Sequence, residues 1–360
     1  MTIELSNLTF TDQDDIVPQS GYAPILNTGI VNTLAGNDSI TGSGIGNDGL
    51  FDYGFKNAGV LNTDDGNDTI TGSVTYERFG NNNGYNIINF DTLNTGEGND
   101  IIDGSYLSNG YAVFSGIYNP GTLNTGEGDD TITAFGSDSG FINEAGTVNT
   151  GGGNDIITAG GGYNYDSYGV GLSIWDGGTI NTGNGEDSII ISAGGFTNSG
   201  EVFLGEDNDS LIAGGSRYNY DFLENFSLEN FNTIETGNGN DIITSYSAIY
   251  NQGIINTGDG NDSIIANDGF ESGPNSSGAW FLGEGEDYIN GFGSGDFYGG
   301  NGNDTLELTP GTYTVGIWDT SATFTKDNQL MITSEFEQLI AGGTTYNFAN
   351  LTAGQTIVVA

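Results

Sequence analysis

Residues 94–102 read NTGEGNDII, and close variants of this stretch recur along most of the 360-residue chain. Each variant carries glycine in a short polar segment, ends that segment with aspartate and continues into a short apolar stretch. Repetition in a fixed order is the sequence signature of a repeat architecture. The other copies are NTLAGNDSI from Asn32, NTDDGNDTI from Asn62, NTGEGDDTI from Asn124, NTGGGNDII from Asn149, NTGNGEDSI from Asn181, FLGEDNDSL from Phe203, ETGNGNDII from Glu235, NTGDGNDSI from Asn256, FLGEGEDYI from Phe281 and GGNGNDTL from Gly299.

The aspartate that ends the polar segment is present in every copy, and successive aspartates are 17 to 32 residues apart. Variable spacing with an unvarying aspartate indicates that insertions fall in loops between repeated turns. The eleven aspartates are Asp38, Asp68, Asp100, Asp130, Asp155, Asp187, Asp209, Asp241, Asp262, Asp287 and Asp304.

A second polar residue stands eleven positions before most of these aspartates, and around Asn143 and Asn275 it is displaced by one. A glycine and a short apolar run lie between the two marks, as in NQGIIN from Asn251. The repeating unit is therefore strand, Asn/Gly turn, strand, Gly/Asp turn, strand. The residues are Asn27, Asn57, Asn89, Asn119, Asp176, Asn198, Asn230 and Asn251.

This unit predicts one rung of an all-β parallel β-helix, also called a β-solenoid. Strands of three to five residues do not form a stable sheet alone, but stacked rungs bury a continuous aliphatic column. We expect the solenoid to span residues 27–309, with an N-terminal cap at residues 1–26 and a β-rich C-terminal cap at residues 310–360.

The composition excludes several classes of partner and chemistry. The formal net charge is −44, with 48 acidic and four basic residues, so nucleic acid and anionic membranes would be repelled. The chain has no cysteine and no histidine, which excludes disulfides, cysteine- or histidine-ligated zinc and histidine-based catalysis. Residues 1–15 have no basic region and no apolar run, so we expect export without a cleaved N-terminal signal. No apolar run in the sequence reaches membrane-spanning length, so we expect no membrane insertion.

Stacking would place the aspartates in one column, about 4.8 Å apart. Each neighbouring pair of ionised carboxylates then costs about 3–4 kcal/mol at an effective dielectric constant near 20. The carboxyls must protonate, spread apart or bind dissolved cations, because four basic residues cannot neutralise them. A metal-free alternative is that each aspartate only hydrogen-bonds its own turn.

Among cations, calcium fits the available ligands best. Glycine turns can bring several carbonyl oxygens together, the aspartate adds carboxylate oxygen, and flexible all-oxygen coordination is what Ca²⁺ prefers over Mg²⁺. The predicted metal ligands are the eleven aspartates together with the turn residues Gly96, Gly98, Gly126, Gly128, Gly151, Gly153, Gly183, Gly185, Gly237, Gly239, Gly258, Gly260, Gly283, Gly285, Gly300 and Gly302.

Two stretches carry a family resemblance. GGNGNDTLE at residues 299–307 matches the nonapeptide G-G-x-G-x-D-x-U-x, and LGEGEDYIN at residues 282–290 matches it from the second position. The chain thus resembles the RTX (haemolysin-type calcium-binding repeat) family, which implies multiple calcium ions bound between stacked turns. Most turns here are 21–32 residues apart and not nine, which indicates an expanded coil with a single ladder. Residues Leu34, Ala35, Asp64 and Asp207 depart from the motif and weaken the sites on their rungs.

The C-terminal residues 310–360 resemble the tail of RTX proteins that are exported by type I secretion. This resemblance implies an uncleaved secretion signal and a location outside the cell or on its surface. The alternative is a cap that only shields the last rung. Together these features predict a secreted protein that folds on binding calcium and serves as a structural or adhesive rod.

Two further classes of function stay open. Aromatic insertions could bind extracellular polysaccharide or cell-surface components, or could only cover the flank of the solenoid; they contain Tyr163, Tyr165, Tyr168, Tyr218, Tyr220 and Phe222. A carbohydrate-active enzyme would need two carboxylates at a suitable separation. The candidates are Asp166, Asp176, Asp221 and Glu224. The scarcity of basic residues disfavours a lyase, the charged turns disfavour ice binding, and the early start of the repeats disfavours a pore-forming toxin.

Overall fold

The computed structural model describes residues 2–18, 22–46, 52–76, 84–105, 114–162, 169–215, 217–219, 224–272 and 278–360. These residues form three long sheets, and in every complete rung the strands follow one another in the order sheet 1, sheet 2, sheet 3. Equivalent strands of successive rungs pair in parallel, as Thr92–Glu97 does with Thr122–Glu127. The predicted parallel β-helix is therefore confirmed, and the described residues contain no α-helix.

The strands of sheet 1 precede the Asn/Gly turns along the chain. Its strands, in spatial order, are Ile3–Glu4, Ile25–Asn27, Tyr53–Asn57, Tyr85–Asn89, Ser115–Asn119, Ser139–Asn143, Val170–Ile174, Phe196–Asn198, Glu224–Asn230, Ala248–Asn251 and Phe270–Glu271, with Arg217–Asn219 antiparallel to Glu224–Asn230.

Sheet 2 leads into the Gly/Asp turn. Its strands are Ile30–Asn32, Val60–Asn62, Thr92–Glu97, Thr122–Glu127, Thr147–Gly152, Thr179–Asn184, Glu201–Glu206, Thr233–Asn238, Ile254–Asn256, Ala279–Gly285, Gly295–Gly302, Gln329–Ser334, Ser321–Lys326, Gly311–Trp318 and Thr356–Val359.

Sheet 3 follows the Gly/Asp turn. Its strands are Ile16–Val17, Ser39–Gly46, Thr69–Tyr76, Ile101–Gly104, Thr131–Phe135, Ile156–Gly160, Ser188–Ala193, Ser210–Ala213, Ile242–Ser245, Ser263–Ala266, Tyr288–Asn290, Thr305–Leu308, Gln338–Ala341 and Thr344–Asn347. Two 3₁₀ helices complete the described structure, at Leu5–Asn7 and Phe348–Asn350.

The core is a set of aliphatic columns that run along the solenoid axis. Strand side chains alternate between the two faces of a sheet, so every second residue of a rung points inward. Leu93 of sheet 2 lies in register with Leu61 and Leu123, and Ile102 of sheet 3 lies in register with Ile70 and Ile132. All six side chains have no solvent exposure. Like residues therefore stack on like residues, and each rung buries the apolar face of its neighbours.

Both ends of the chain continue the parallel stacking beyond residues 27–309. At the N-terminus, Ile3–Glu4 pairs with Ile25–Asn27, and Ile16–Val17 pairs with Ser39–Gly46. At the C-terminus, Gln329–Ser334 and Gln338–Ala341 add a further parallel layer. Antiparallel strands then close the C-terminal end. The described residues contain no helix that is both long and apolar enough to cross a bilayer.

The asparagines before the turns form a buried ladder at the corner between sheets 1 and 2. Nδ2 of one asparagine donates to Oδ1 of the asparagine on the next rung, as Asn27 does to Asn57 at 2.8 Å and Asn57 to Asn89 at 2.9 Å. Asn143 and Asn251, which have no asparagine in register on the next rung, donate to backbone carbonyls instead. The second N–H of Asn57 donates to a backbone carbonyl, that of Thr92, at 2.8 Å. The predicted alignment of amides is present at Asn27, Asn57, Asn89, Asn119, Asn143, Asn198, Asn230 and Asn251.

Two details of this ladder differ from the sequence spacing. Ile174, and not Asp176, lies in register between Asn143 and Asn198, so the ladder is interrupted and Asp176 is exposed. The displacement at Asn143 is absorbed within the following turn, where Ala145 has a φ of +53° and Asn143 stays in register with Asn119. Asn275 lies outside the described residues.

Candidate metal-binding ladder

The Gly/Asp turns share one backbone conformation. All sixteen glycines predicted as metal ligands have positive φ, for example +109° at Gly96 and +138° at Gly98. Leu34, Asp64 and Asp207 occupy the corresponding positions on their rungs and also have positive φ, between +64° and +78°. Since L-residues adopt this region only at a cost, stacking enforces the turn geometry even where glycine is missing.

Glycine is also required by the close approach of the turns. A Cβ atom built on Gly128 would lie 2.0 Å from the carbonyl oxygen of Gly98 on the preceding rung. Such a contact is far inside van der Waals range, so a side chain fits only where the backbone shifts, as at the equivalent Asp207, whose φ is +78° against +127° at Gly128. Carbonyl oxygens of these turns therefore face the next rung along the axis.

The eleven aspartates form a second buried ladder, at the corner between sheets 2 and 3. Each side chain is at most 2 % exposed. The backbone N–H of each aspartate donates to the Oδ1 of the aspartate on the next rung, as Asp38 does to Asp68 and Asp68 to Asp100, both at 2.7 Å. The same bond, at 2.7 to 2.9 Å, joins all remaining neighbours down to Asp304. The structure thus brings all eleven predicted aspartates into one column.

The second carboxylate oxygen has no partner in any rung. Oδ2 of all eleven aspartates is buried and accepts no hydrogen bond. A buried acceptor without a donor carries a desolvation penalty of about 1–3 kcal/mol, and more when it is charged. The buried Oδ2 without a hydrogen-bond donor recurs on eleven rungs, and it is the strongest structural indication of a bound ligand.

Burial raises the pKa of every carboxyl in the ladder. The pKa is raised to about 7 for Asp68 and to about 8 for Asp209, with burial as the largest cause for each. Repulsion by neighbouring carboxylates adds a smaller increase at both residues, and for Asp100 and Asp241 burial alone raises the pKa. The charge column is therefore unfavourable mainly because its members are removed from water, and mutual repulsion is secondary.

Buried threonines line the same corner, one on most rungs. Their hydroxyls donate to the backbone carbonyl of the next rung, as Thr63 does to Thr95 at 3.0 Å and Thr95 to Thr125 at 3.1 Å. Hydrogen bonding by the same threonine side chains lowers the pKa of Asp68 and Asp130, without offsetting the effect of burial. Each hydroxyl has one proton, however, and donating it to the carbonyl of the next rung leaves Oδ2 without a donor. Leu204, Leu282 and Gly299 stand in the threonine column on three rungs, so Asp209, Asp287 and Asp304 lack a neighbouring hydroxyl.

An exposed ladder of opposite direction runs beside the buried one. Here the backbone N–H of each rung donates to the side-chain oxygen of the preceding rung, from Asn67 to Asn37 at 2.7 Å and from Asn99 to Asn67 at 2.9 Å. Asp129 and Asn154 continue it. Each turn is thereby bonded to both of its neighbours.

The aspartate ladder extends into both terminal segments, which the sequence did not reveal. The N–H of Asp15 donates to Oδ1 of Asp38 at 2.8 Å, and Asp14 accepts the N–H of Asn37 at 2.8 Å. At the other end Glu337 accepts the N–H of Asp304 at 2.8 Å. The run TDQDD from Thr11 lacks the turn glycines, so the repeat motif could not identify it.

The atoms available as metal ligands at the ladder suit a hard cation. Oxygen is the only donor atom at the ladder, and no basic group contributes to the pKa of its carboxyls. Of the basic side chains that the structure describes, Lys56 lies over aromatic rings and Lys326 donates to the carbonyl of Pro310. No three acidic side chains within the described ranges gather in a metal-binding cluster. Ligands beyond the aspartate would therefore be main-chain carbonyls or water.

The other candidate residues are not brought to this corner. Tyr163, Tyr165, Tyr168, Tyr220, Phe222, Asp166 and Asp221 lie outside the described residues, as do the side chains of Tyr218 and Glu224. No protein-family model and no curated protein matches the chain.

Proposed function

We propose that the chain is a calcium-binding β-solenoid that folds when Ca²⁺ occupies its aspartate ladder, and that it acts as an extracellular or cell-surface structural or adhesive rod. One observation carries the proposal: eleven buried Oδ2 atoms in a single column accept no hydrogen bond. A divalent cation beside each Oδ2 supplies the favourable interaction that this oxygen lacks. The eleven carboxyls can then stay ionised at neutral pH and need not be protonated.

Calcium is favoured over other cations by the chemistry of the donors. Each rung offers carboxylate oxygen and turn carbonyls, and Ca²⁺ accepts six to eight oxygen ligands in flexible geometry. Magnesium requires a stricter octahedron and keeps several waters, which a buried, closely stacked corner disfavours. Nitrogen and sulfur donors, which softer metals prefer, are absent at the ladder.

Calcium dependence would also link folding to location. Before the ladder is loaded, the buried carboxylates oppose folding, so the chain stays extended where calcium is scarce. Binding free energy becomes folding free energy where calcium is abundant. Export through the C-terminal segment, which resembles a type I signal, belongs to the same proposal.

The test is a measurement of bound calcium on the chelator-treated protein, by equilibrium dialysis and elemental analysis at neutral pH. We expect several ions per chain that equimolar Mg²⁺ does not displace. The ladder variant Asp100→Asn, Asp130→Asn, Asp155→Asn should bind fewer.

A matched variant removes three exposed charges from two of these turns: Glu97→Gln, Glu127→Gln, Asp129→Asn. Its calcium content should be unchanged. Equal losses in the two variants would show that the acidic surface, and not the buried ladder, holds the ions. No calcium bound at millimolar concentration would refute the proposal.

A further inference from the structure

Two clusters of aromatic side chains repeat the same arrangement on the outer side of sheet 1. Phe90 and Phe231 each follow directly after a ladder asparagine, Asn89 and Asn230, at the corner between sheets 1 and 2. They are 43 % and 42 % exposed. Their strands are five rungs apart in sheet 1.

Each exposed ring rests on a tyrosine of the next rung. The ring centre of Phe90 is 6.0 Å from that of Tyr118, and the ring centre of Phe231 is 5.7 Å from that of Tyr250. A third, buried ring supports each tyrosine at 5.2 Å, Tyr85 in the first cluster and Phe226 in the second. Packing of this kind fixes the exposed ring in place and leaves part of it open to solvent.

A third exposed aromatic residue lies on the same line between them. Trp175 follows Ile174, which stands in the asparagine column, and it is 47 % exposed. Its indole Nε1 donates to Ser173 Oγ at 3.0 Å, which holds the ring in one orientation. We call Phe90, Trp175 and Phe231 the aromatic line.

The spacing along this line follows from the rung count. Trp175 is three rungs from Phe90 and two from Phe231, which gives about 14 Å and about 10 Å at the usual inter-strand distance. Both intervals correspond to a few sugar residues of an extended polysaccharide. An extended ligand parallel to the solenoid axis could therefore contact all three rings together.

Polar groups beside the line offer hydrogen bonds, and the acidic side chains there outnumber the one lysine. Tyr118 OH is bonded to Glu144, and Tyr250 OH to Gln252. Lys56 lies with its Nζ 5.1 Å from the ring centre of Phe90. Asp91 and Asp176 flank the exposed rings. With a net charge of −44 on the whole chain, a polyanion would be repelled.

We propose that the aromatic line binds an extended, neutral polysaccharide, whose sugar rings stack on Phe90, Trp175 and Phe231. Sugar rings present C–H faces to aromatic rings and hydroxyls to the neighbouring amides and carboxylates, which matches a row of separated, rigid platforms. This inference deepens the adhesive role proposed above and names its ligand class. Binding itself needs only the folded solenoid.

The test is affinity electrophoresis in native gels that contain hydroxyethylcellulose, galactomannan or laminarin, with alginate as the polyanion. We expect at least one neutral polysaccharide to retard the protein, and alginate to leave its mobility unchanged. The triple variant Phe90→Ala, Trp175→Ala, Phe231→Ala should weaken retention by about tenfold or more. The control is Trp318→Ala, a more exposed aromatic residue in the C-terminal cap at 79 % exposure, and it should bind as the parent does.

Circular dichroism of every variant in the binding buffer separates failure to fold from failure to bind. If the triple variant is unfolded, each single variant is measured instead, and each should weaken retention. Parent protein that is folded yet unretarded by all three neutral polysaccharides would overturn the inference, as would equal retention of folded variant and parent. Neither result bears on calcium, which is measured independently by metal content.

Discussion

Two buried polar ladders run along this solenoid, the asparagine ladder with one interruption at Ile174, and they satisfy their buried polar atoms to different extents. The asparagine ladder lies between sheets 1 and 2 and the aspartate ladder between sheets 2 and 3. Asn57 donates both of its N–H groups and accepts a hydrogen bond from Asn27. Asp68 accepts one hydrogen bond at Oδ1, from the backbone N–H of Asp38, and none at Oδ2.

The difference follows from the donor and acceptor inventory of the two side chains. An amide carries donors and an acceptor, so a stack of amides can complete itself without any outside group. An ionised carboxylate carries acceptors only, so a stack of carboxylates always leaves oxygens unmet. The amides of the asparagine ladder are therefore hydrogen-bonded by groups of the chain alone, whereas the carboxylates of the aspartate ladder need protons or cations.

Removal of calcium tests this contrast with the largest expected effect. In excess EDTA at pH 7 we expect loss of the β-sheet circular dichroism spectrum, because eleven buried carboxylates are left uncompensated. Calcium should restore the spectrum, and each site contributes about 2.7 kcal/mol at one hundred times its dissociation constant. A spectrum that is unchanged by EDTA would mean that the aspartate ladder, like the asparagine ladder, is complete without a metal.

Acidification should replace calcium. Burial raises the folded-state pKa of ladder carboxyls from 3.8 to as much as about 8, so the folded chain binds more protons than the unfolded chain between about pH 4 and pH 8. Stability is then present at low pH and lost as the pH rises, by at most about 1.4 kcal/mol per pH unit for each carboxyl.

The measurement is circular dichroism across this pH range, with EDTA and with calcium. In EDTA we expect folding near pH 5 and unfolding near pH 8, and in calcium a flat profile above pH 5. Equal profiles in the two buffers would show that protons and calcium do not compete for the same oxygens.

The substitution Asn89→Asp should give one rung of the asparagine ladder a buried carboxylate like those of the aspartate ladder. It removes the donors to Asn119 Oδ1 and to the carbonyl of Thr122, and it buries a carboxylate opposite acceptors. We expect a loss of about 3–5 kcal/mol in the free energy of unfolding by urea in calcium.

The control is Asn99→Asp in the exposed ladder. It keeps the Oδ1 acceptor that Asp129 binds, and its effect should stay within about 0.5 kcal/mol. If Asn89→Asp were equally mild, amide completeness would not explain the first ladder.

The substitution Asp155→Asn has the smallest expected effect and one whose sign depends on calcium. In calcium it removes a ligand and should lower stability by about 1–3 kcal/mol. In EDTA it removes a buried charge, so the midpoint of the pH-driven folding transition should move to higher pH. Asn154→Asp, one residue away and exposed, serves as the control and should change neither quantity. A loss of stability in both buffers would indicate a purely structural role for Asp155.

Much of this architecture could be predicted because the repeat is written at fixed positions within each rung. The Asn–glycine–aspartate spacing predicted the three-strand unit, and the aliphatic pairs predicted the core columns through Leu93 and Ile102. The eleven aspartates were correctly expected in one column. Turns at Leu34, Asp64 and Asp207 depart from the motif, yet stacking on neighbouring rungs gives them the same backbone conformation.

Other features could not be predicted, because insertions separate residues that stacking brings together. Spacing pointed to Asp176, whereas pairing places Ile174 in the asparagine column. Asp15 and Glu337 join the aspartate ladder from segments that lack the motif. Phe90, Trp175 and Phe231 are far apart in the chain, and only the pairing register of sheet 1 places them at equivalent positions on their rungs.

The sequence by itself determined the kind of fold and the chemical character of each column, since strand period, turn glycines and the repeated aspartate are local properties. Only the tertiary structure decided which atoms of those columns have partners. Both oxygens of an aspartate look alike in the sequence. Stacking gives Oδ1 a backbone N–H from the preceding rung and gives Oδ2 none, because the hydrogen-bond donors at this corner are already committed to the next rung.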